Sequence, residues 1–225
     1  MKMKMKIDIL ITPGWLAENN ACNDGAEWGL SVIGKGMLFS ELAPKFNHAD
    51  WLLWTIQKLG ALSKVQYVEL SVVCAVTVLH IYEESYPQDD RPRKALEAAK
   101  SYFRDPSEEN QIAALSAARA AHAASSAASN VAYSAYAASD ASSCAISAAP
   151  AASAASHVAA SAAAAADAAV AAYADAAAFT AIYSASRAAA VQASDSAYRA
   201  EQDKQDALMC RLIVGKLRLW GVLRK

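Results

Sequence analysis

The chain has 225 residues, 55% of them hydrophobic and 19% charged, with a formal net charge of −1. That length allows one large or two small domains with a substantial core. The near-neutral balance argues against a dedicated nucleic-acid binder, which would carry a basic face. Cys22, Cys74, Cys144 and Cys210 lie more than fifty residues apart and form no Cys-x-x-Cys or Cys/His cluster. That spacing argues against a zinc site or a disulfide framework and fits small buried residues in a reducing cytoplasm.

Met1 to Leu10 alternates Met or Ile with Lys or Asp, a pattern for a short strand or a disordered start. Asp8 and Pro13 interrupt the apolar residues that follow the basic stretch, so it does not read as a signal peptide. Thr12-Pro13 predicts an N-cap and first turn, opening a helix through Ala21 and Cys22. In residues 48–59 the spacing places Trp51, Leu52, Thr55 and Leu59 on one face, and Gly60 ends that helix. The apolar run from Lys64 to Tyr82 predicts a buried helix with Val65, Val68, Val72, Ala75, Val76 and Leu79 inward, stopped by Pro87. Asp90 is the expected cap of a helix over 92–103. Asp105-Pro106 is the expected cap of another, whose first turn carries Glu108 and Glu109.

From Ala113 to Ala200 about half of the positions are alanine, the residue with the best helix propensity. Pro150 divides this tract into two arms of about 60–80 Å each at 1.5 Å per residue. Breaks near Ser125-Ser126, Ser142-Ser143 and Ser184 would fold these arms into a compact bundle. Alanine faces let helices approach closely, gaining dispersion contacts summed over many small groups. Tyr133, Tyr136, Tyr173, Tyr183 and Tyr198 are expected to fill gaps between them. The tract's charged residues are Arg119, Asp140, Asp167, Asp175, Arg187, Asp195 and Arg199. So few charges imply burial on several sides or a partner.

No glycine occurs between Gly60 and Gly215, which speaks against a sheet protein, whose turns need positive φ. Tryptophans 15, 28, 51 and 54 precede Gly60. The expected fold class is therefore all-α: an alanine-rich bundle of tightly packed long helices with one short N-terminal strand. The expected domains are a small aromatic-rich helical module over 1–62 and the bundle over 63–225. A membrane span needs about 20 strongly apolar residues, and alanine is weakly apolar, so the expectation is a soluble, cytoplasmic protein.

The most specific local pattern runs from Tyr82 to Ala99, YEESYPQDDRPRKALEAA. Arg91 and Arg93 stand at a helix N-terminus, where the dipole disfavours cations. Glu83, Asp89 and Asp90 are the nearest carboxylates that could offset them. Arg91, Arg93, Asp90 and Glu83 are thus either a structural ion-pair corner or a partner- or phosphate-binding set. His48, His80, His122 and His157 include no i, i+4 pair, and no G-x-S-x-G turn exists. The residues therefore point to no catalytic machinery, cofactor or metal.

The segment CAVTVLHIYEESYPQDDRPRKALEAAKSY, with AARAAHAASSAA, AAAFTAIYSASRAAAVQ and AYRAEQDKQDALMCRLI, resembles the alanine-rich immunity proteins, antidotes of bacterial polymorphic toxin systems. The resemblance covers residues of about 66 to 214 and is most specific at Asp90 to Ala99. Upstream, Leu16, Ala21, Cys22, Gly25 and Trp28 are similar to a short helical module of phage and bacterial defence-related proteins. Gly29 stands where that module often has an aromatic residue. The resemblance implies a non-catalytic inhibitor that occludes a macromolecular target, a toxin or a host defence protein. A phage-encoded anti-defence protein, blocking an immune complex or handling a signalling nucleotide through Arg91 and Arg93, is the alternative. Structural assembly as a homo-oligomer and ice binding are further readings, the last weakened by having only Thr12, Thr55, Thr77 and Thr180.

Overall fold

The computed structural model describes residues 9–138, 143–170, 174–191 and 198–223. Its contacts divide the chain into two compact units, Met1–Leu62 with Ala207–Lys225, and Ser63–Asp206. The fold is all-α, with a single two-stranded sheet among the described residues.

In the first unit, strand β1 (Leu10–Ile11) pairs antiparallel with β2 (Met37–Leu38), Leu10 opposite Leu38. Helix α1 (Pro13–Glu18) opens as expected, the Trp15 N–H donating to Thr12 Oγ1 at 3.1 Å. It ends sooner than predicted because Asn20 takes φ 59°, a left-handed conformation that asparagine tolerates. Helix α2 (Asn23–Ile33) packs closely on α1: a Cβ at Gly29 would lie 2.8 Å from Leu16 Cδ1. That approach explains why glycine, and no aromatic residue, stands there. Helix α3 (Phe39–Leu42), a 3₁₀ turn (Ala43–Lys45) and α4 (Ala49–Lys58) follow, and Gly60 at φ 57° closes α4.

The expected bundle domain reached residue 225, yet Ala207–Lys225 belongs to the first unit. In α11 (Tyr198–Leu219), Met209, Ile213 and Leu217 recur at helical spacing and are fully buried. Removing such a stripe from water stabilises by roughly 1.5–3 kcal/mol per side chain.

The second unit holds α5 (Lys64–Val76), α6 (Leu79–Ser85), α7 (Arg91–Arg104), α8 (Glu108–Ala138), α9 (Ser143–Val170) and α10 (Ala174–Ala190). Ser63 and Gln66 form a reciprocal capping box at the start of α5. The predicted single helix over 64–82 is broken at Thr77–Val78, where α5 and α6 bend by 46°. Thr77 Oγ1 donates to the Cys74 carbonyl at 2.7 Å, a side-chain bond that competes with the helical ladder. Val76, beside the break, is exposed, and Val65, in the first turn of α5, is half-buried, against the predicted inward face.

Helix α9 is the centre of this unit. It packs against α5, α6, α7, α8 and α10, and between Ala154 and Ala169 it is buried on nearly every side. Helix α8 meets it through a stripe of Ala114, Ala118, Ala121, Ala124, Ala128 and Ala132, spaced three or four residues apart as one face of a helix requires. Ser161 Oγ donates to the Ala181 carbonyl of α10 at 2.7 Å, which needs helix axes near the short end, about 8 Å, of the usual range.

Several predicted breaks are absent. Helix α8 runs through Ser125-Ser126, since Ser125 donates to the Ser156 carbonyl across the interface at 3.0 Å instead of bending its own helix. Helix α10 likewise runs through Ser184, and α9 runs through Pro150. Proline removes one ladder bond, and α9 keeps its helix on both sides. The Ser142-Ser143 break falls partly on residues 139–142, outside the described residues. The Tyr133, Tyr136, Tyr173 and Tyr198 side chains also lie outside them. Tyr183 is exposed and does not fill a gap; alanine against alanine leaves no space for it.

Among the described residues no single helix is long and apolar enough to cross a membrane. The bent α5–α6 pair is apolar enough together, but most of its apolar side chains lie in the core of the second unit.

Candidate functional site

The α6–α7 corner is where the sequence placed its candidate residues. Arg93 reaches back to α6, its Nε and a terminal nitrogen donating to the two Glu83 carboxylate oxygens at 2.6 and 2.7 Å. Arg91 makes the same forked contact with Asp89, its Nε donating at 2.8 Å. Asp90 bonds neither arginine. It pairs with Lys94 one turn on at 2.8 Å, and its side chain does not cap α7. The carboxylate that satisfies the helix start is Asp89, which accepts the Arg91 backbone N–H at 3.1 Å. At α8 the cap is also displaced from the expected residue, the Ser107 hydroxyl accepting from the Asn110 N–H.

Asp89 is the hub of the corner. Buried Tyr82 donates its hydroxyl to it at 2.7 Å, and the Tyr86 ring lies 5.1 Å from that of Tyr82. Hydrogen bonds from Arg91 above all, with that from Tyr82, hold the Asp89 carboxyl well below the usual carboxylate range. Burial, reinforced by Asp89, pushes the Tyr82 phenol well above its ordinary value. The four predicted residues are thus split among three separate pairs, and both guanidinium forks are occupied by carboxylates of the chain itself. Such an arrangement sets the angle between α6 and α7. Asp89 was among the three carboxylates the sequence offered, and Tyr82 is the missed partner; an aromatic residue seven positions before an acidic turn was its only local signal.

Other polar pairs in the second unit are also interhelical. The His122 ring Nε2 lies 2.8 Å from Asp167 Oδ2, joining α8 to α9. Burial, with the Arg187 charge as a lesser cause, lowers the His157 pKa from its usual value. Among the described residues no group of three or more His, Cys, Asp or Glu side chains is arranged to hold a metal ion.

The outward-facing feature is on α10. Its buried side is Ala174, Ala178, Ala181, Ile182, Ala185 and Ala188. Its opposite side carries Phe179 and Tyr183, 41% and 45% exposed, with rings stacked 6.3 Å apart at 7°. Arg187 extends the row one turn further, donating to the Tyr183 hydroxyl at 2.9 Å. Compared with known proteins, the chain gives no significant match to a family model, a curated protein or a solved structure.

Proposed function

We propose that this chain is a non-catalytic inhibitor of the immunity type, which covers a surface of a macromolecular target such as a bacterial toxin. The observation that carries this reading is the Phe179–Tyr183–Arg187 row. Aromatic residues and arginine dominate the energetics of protein interfaces, and here they stand on a helix anchored by its alanine side, so little ordering is needed on binding. An aromatic side chain offers 150–250 Å², so at these exposures each ring leaves on the order of 80–100 Å² to bury. At roughly 25 cal/mol per Å² that is worth about 2 kcal/mol each.

The resemblance to alanine-rich immunity proteins supports the same reading and suggests a cytoplasmic setting. The nucleotide-handling alternative draws less support, because Asp89 and Glu83 occupy the arginine forks it would use. The test is affinity capture from a bacterial host with the wild-type chain and with F179A/Y183A, followed by an activity assay of the captured protein. The expected outcome is a target whose activity the wild-type chain suppresses. Each truncation should weaken binding by about 30-fold, from about 2 kcal/mol. A captured protein that binds both forms equally, or whose activity is untouched, would overturn the reading.

A further inference from the structure

The first unit contains a groove of about 260 Å³ between the 3₁₀ turn and α11. Its floor is apolar, formed by Ala43, Phe46, Cys210 and Val214, and its rim carries Arg211, Gly215 and Arg218. We infer that this groove takes up an acidic segment of a partner protein, two carboxylates flanking an apolar pair of residues.

Three observations carry it. First, the two arginines are exposed and, among the described residues, neither meets a carboxylate; Arg211 Nε donates only to the Ala207 carbonyl of its own helix. Lys216 and Arg218 lie in the last turn of α11, where cations complement the helix dipole. Arg211 stands two turns earlier, beyond the reach of that effect. Second, from Arg211 to Leu223 the chain carries three cations, Arg211, Lys216 and Arg218, and no Asp or Glu, so the field along this side of the groove favours an anionic occupant. Third, Gly215 sits between the arginines in mid-helix, where glycine is unfavourable. A Cβ there would meet nothing within 4 Å. Packing therefore does not require glycine, and its lack of a side chain leaves the groove mouth open.

Seven helical residues separate the guanidinium-bearing positions by about 10 Å. A peptide in the polyproline II conformation, with three residues per turn and a rise of about 3.1 Å, brings residues i and i+3 to one face about 9 Å apart, which matches Asp-Leu-Leu-Asp. Open along one side, the groove suits a chain passing through it better than an enclosed small molecule. It is separate from the α10 row, so target capture through Phe179 and Tyr183 stands or falls independently.

The test is fluorescence anisotropy of a labelled Asp-Leu-Leu-Asp peptide titrated with the full chain, alongside its Asn-Leu-Leu-Asn counterpart. The acidic peptide should bind and the amide peptide should not, with affinity falling as salt rises. R211Q/R218Q should weaken binding by about tenfold or more. G215L should abolish it while keeping or raising the melting temperature, which separates blockage from misfolding. No binding by the wild-type chain at millimolar concentration would overturn the inference. So would equal binding of both peptides, or binding unchanged in G215L. Tighter association with phosphatidylserine vesicles that survives G215L would overturn it in favour of a membrane-surface role.

Discussion

Ala165→Leu tests the packing of the central helix most directly. Ala165 is fully buried and lies one turn beyond Ser161, on the side of α9 that meets α10. Leucine adds three carbons to an interface close enough for the Ser161 hydroxyl to reach the Ala181 carbonyl at 2.7 Å, an approach that small residues allow. Inserting methylenes into a filled core typically costs about 1–3 kcal/mol, and three carbons between rigid helices put the expectation near 3 kcal/mol. For a chain of this size each kcal/mol shifts the midpoint by about 2–4 °C, so A165L should melt about 6–12 °C lower. The assay is thermal unfolding followed at 222 nm, dominated by the long helices of the second unit. Tryptophan emission serves as a separate probe, since all five tryptophans belong to the first unit. Ala123→Leu, at an exposed position of α8, is the control and should stay within about 0.5 kcal/mol. If A165L melted with its control, the close approach of α9 and α10 would be refuted.

Two further outcomes follow from the polar contacts. Asp89→Asn removes the charge facing Arg91 at a mostly buried site and should destabilise by about 1–3 kcal/mol. Glu83→Gln, in a more exposed pair, should cost less than about 1 kcal/mol; equal losses in urea melts would refute the hub role of Asp89. His157 has a folded-state pKa below its ordinary 6.5, so under about pH 6.5 the unfolded chain binds a proton that the folded chain resists. Stability should be flat above that pH and fall as pH drops below it, until the folded group itself titrates. His157→Gln should flatten the urea midpoint between pH 7 and pH 5, and slopes parallel to wild type would refute this origin. Asp89 acts in a separate window, its contribution fading below about pH 4.

Much of the helical architecture could be read from residues alone. Alanine content and the glycine gap specify long helices, the Ser63–Gln66 spacing marks a start, and Gly60 marks an end near the Leu62–Ser63 division. What failed were local rules whose outcome depends on distant partners. Ser125 looks like a helix breaker until the Ser156 carbonyl stands beside it. Asp89 and Asp90 are adjacent and chemically identical, and only the position of Tyr82 decides which becomes the hub. The sequence left Glu83, Asp89 and Asp90 open as partners of the two arginines, and the fold selects Asp89 for Arg91 and Glu83 for Arg93. Phe179, Tyr183 and Arg187 stand at i, i+4 and i+8 in the sequence, but the expectation that Tyr183 fills an interior gap hid the row.

The enclosure of α9 has a consequence for how such a protein can diverge. An alanine helix hemmed in on almost every side leaves selection little choice at its own positions: only serine and glycine are comparably small, and glycine weakens the helix. Outward positions on α8 and α10 carry no such restriction. A scaffold of this kind can exchange its recognition residues while its interior stays monotonous, so low complexity in the tract marks strict steric demand and not relaxed constraint.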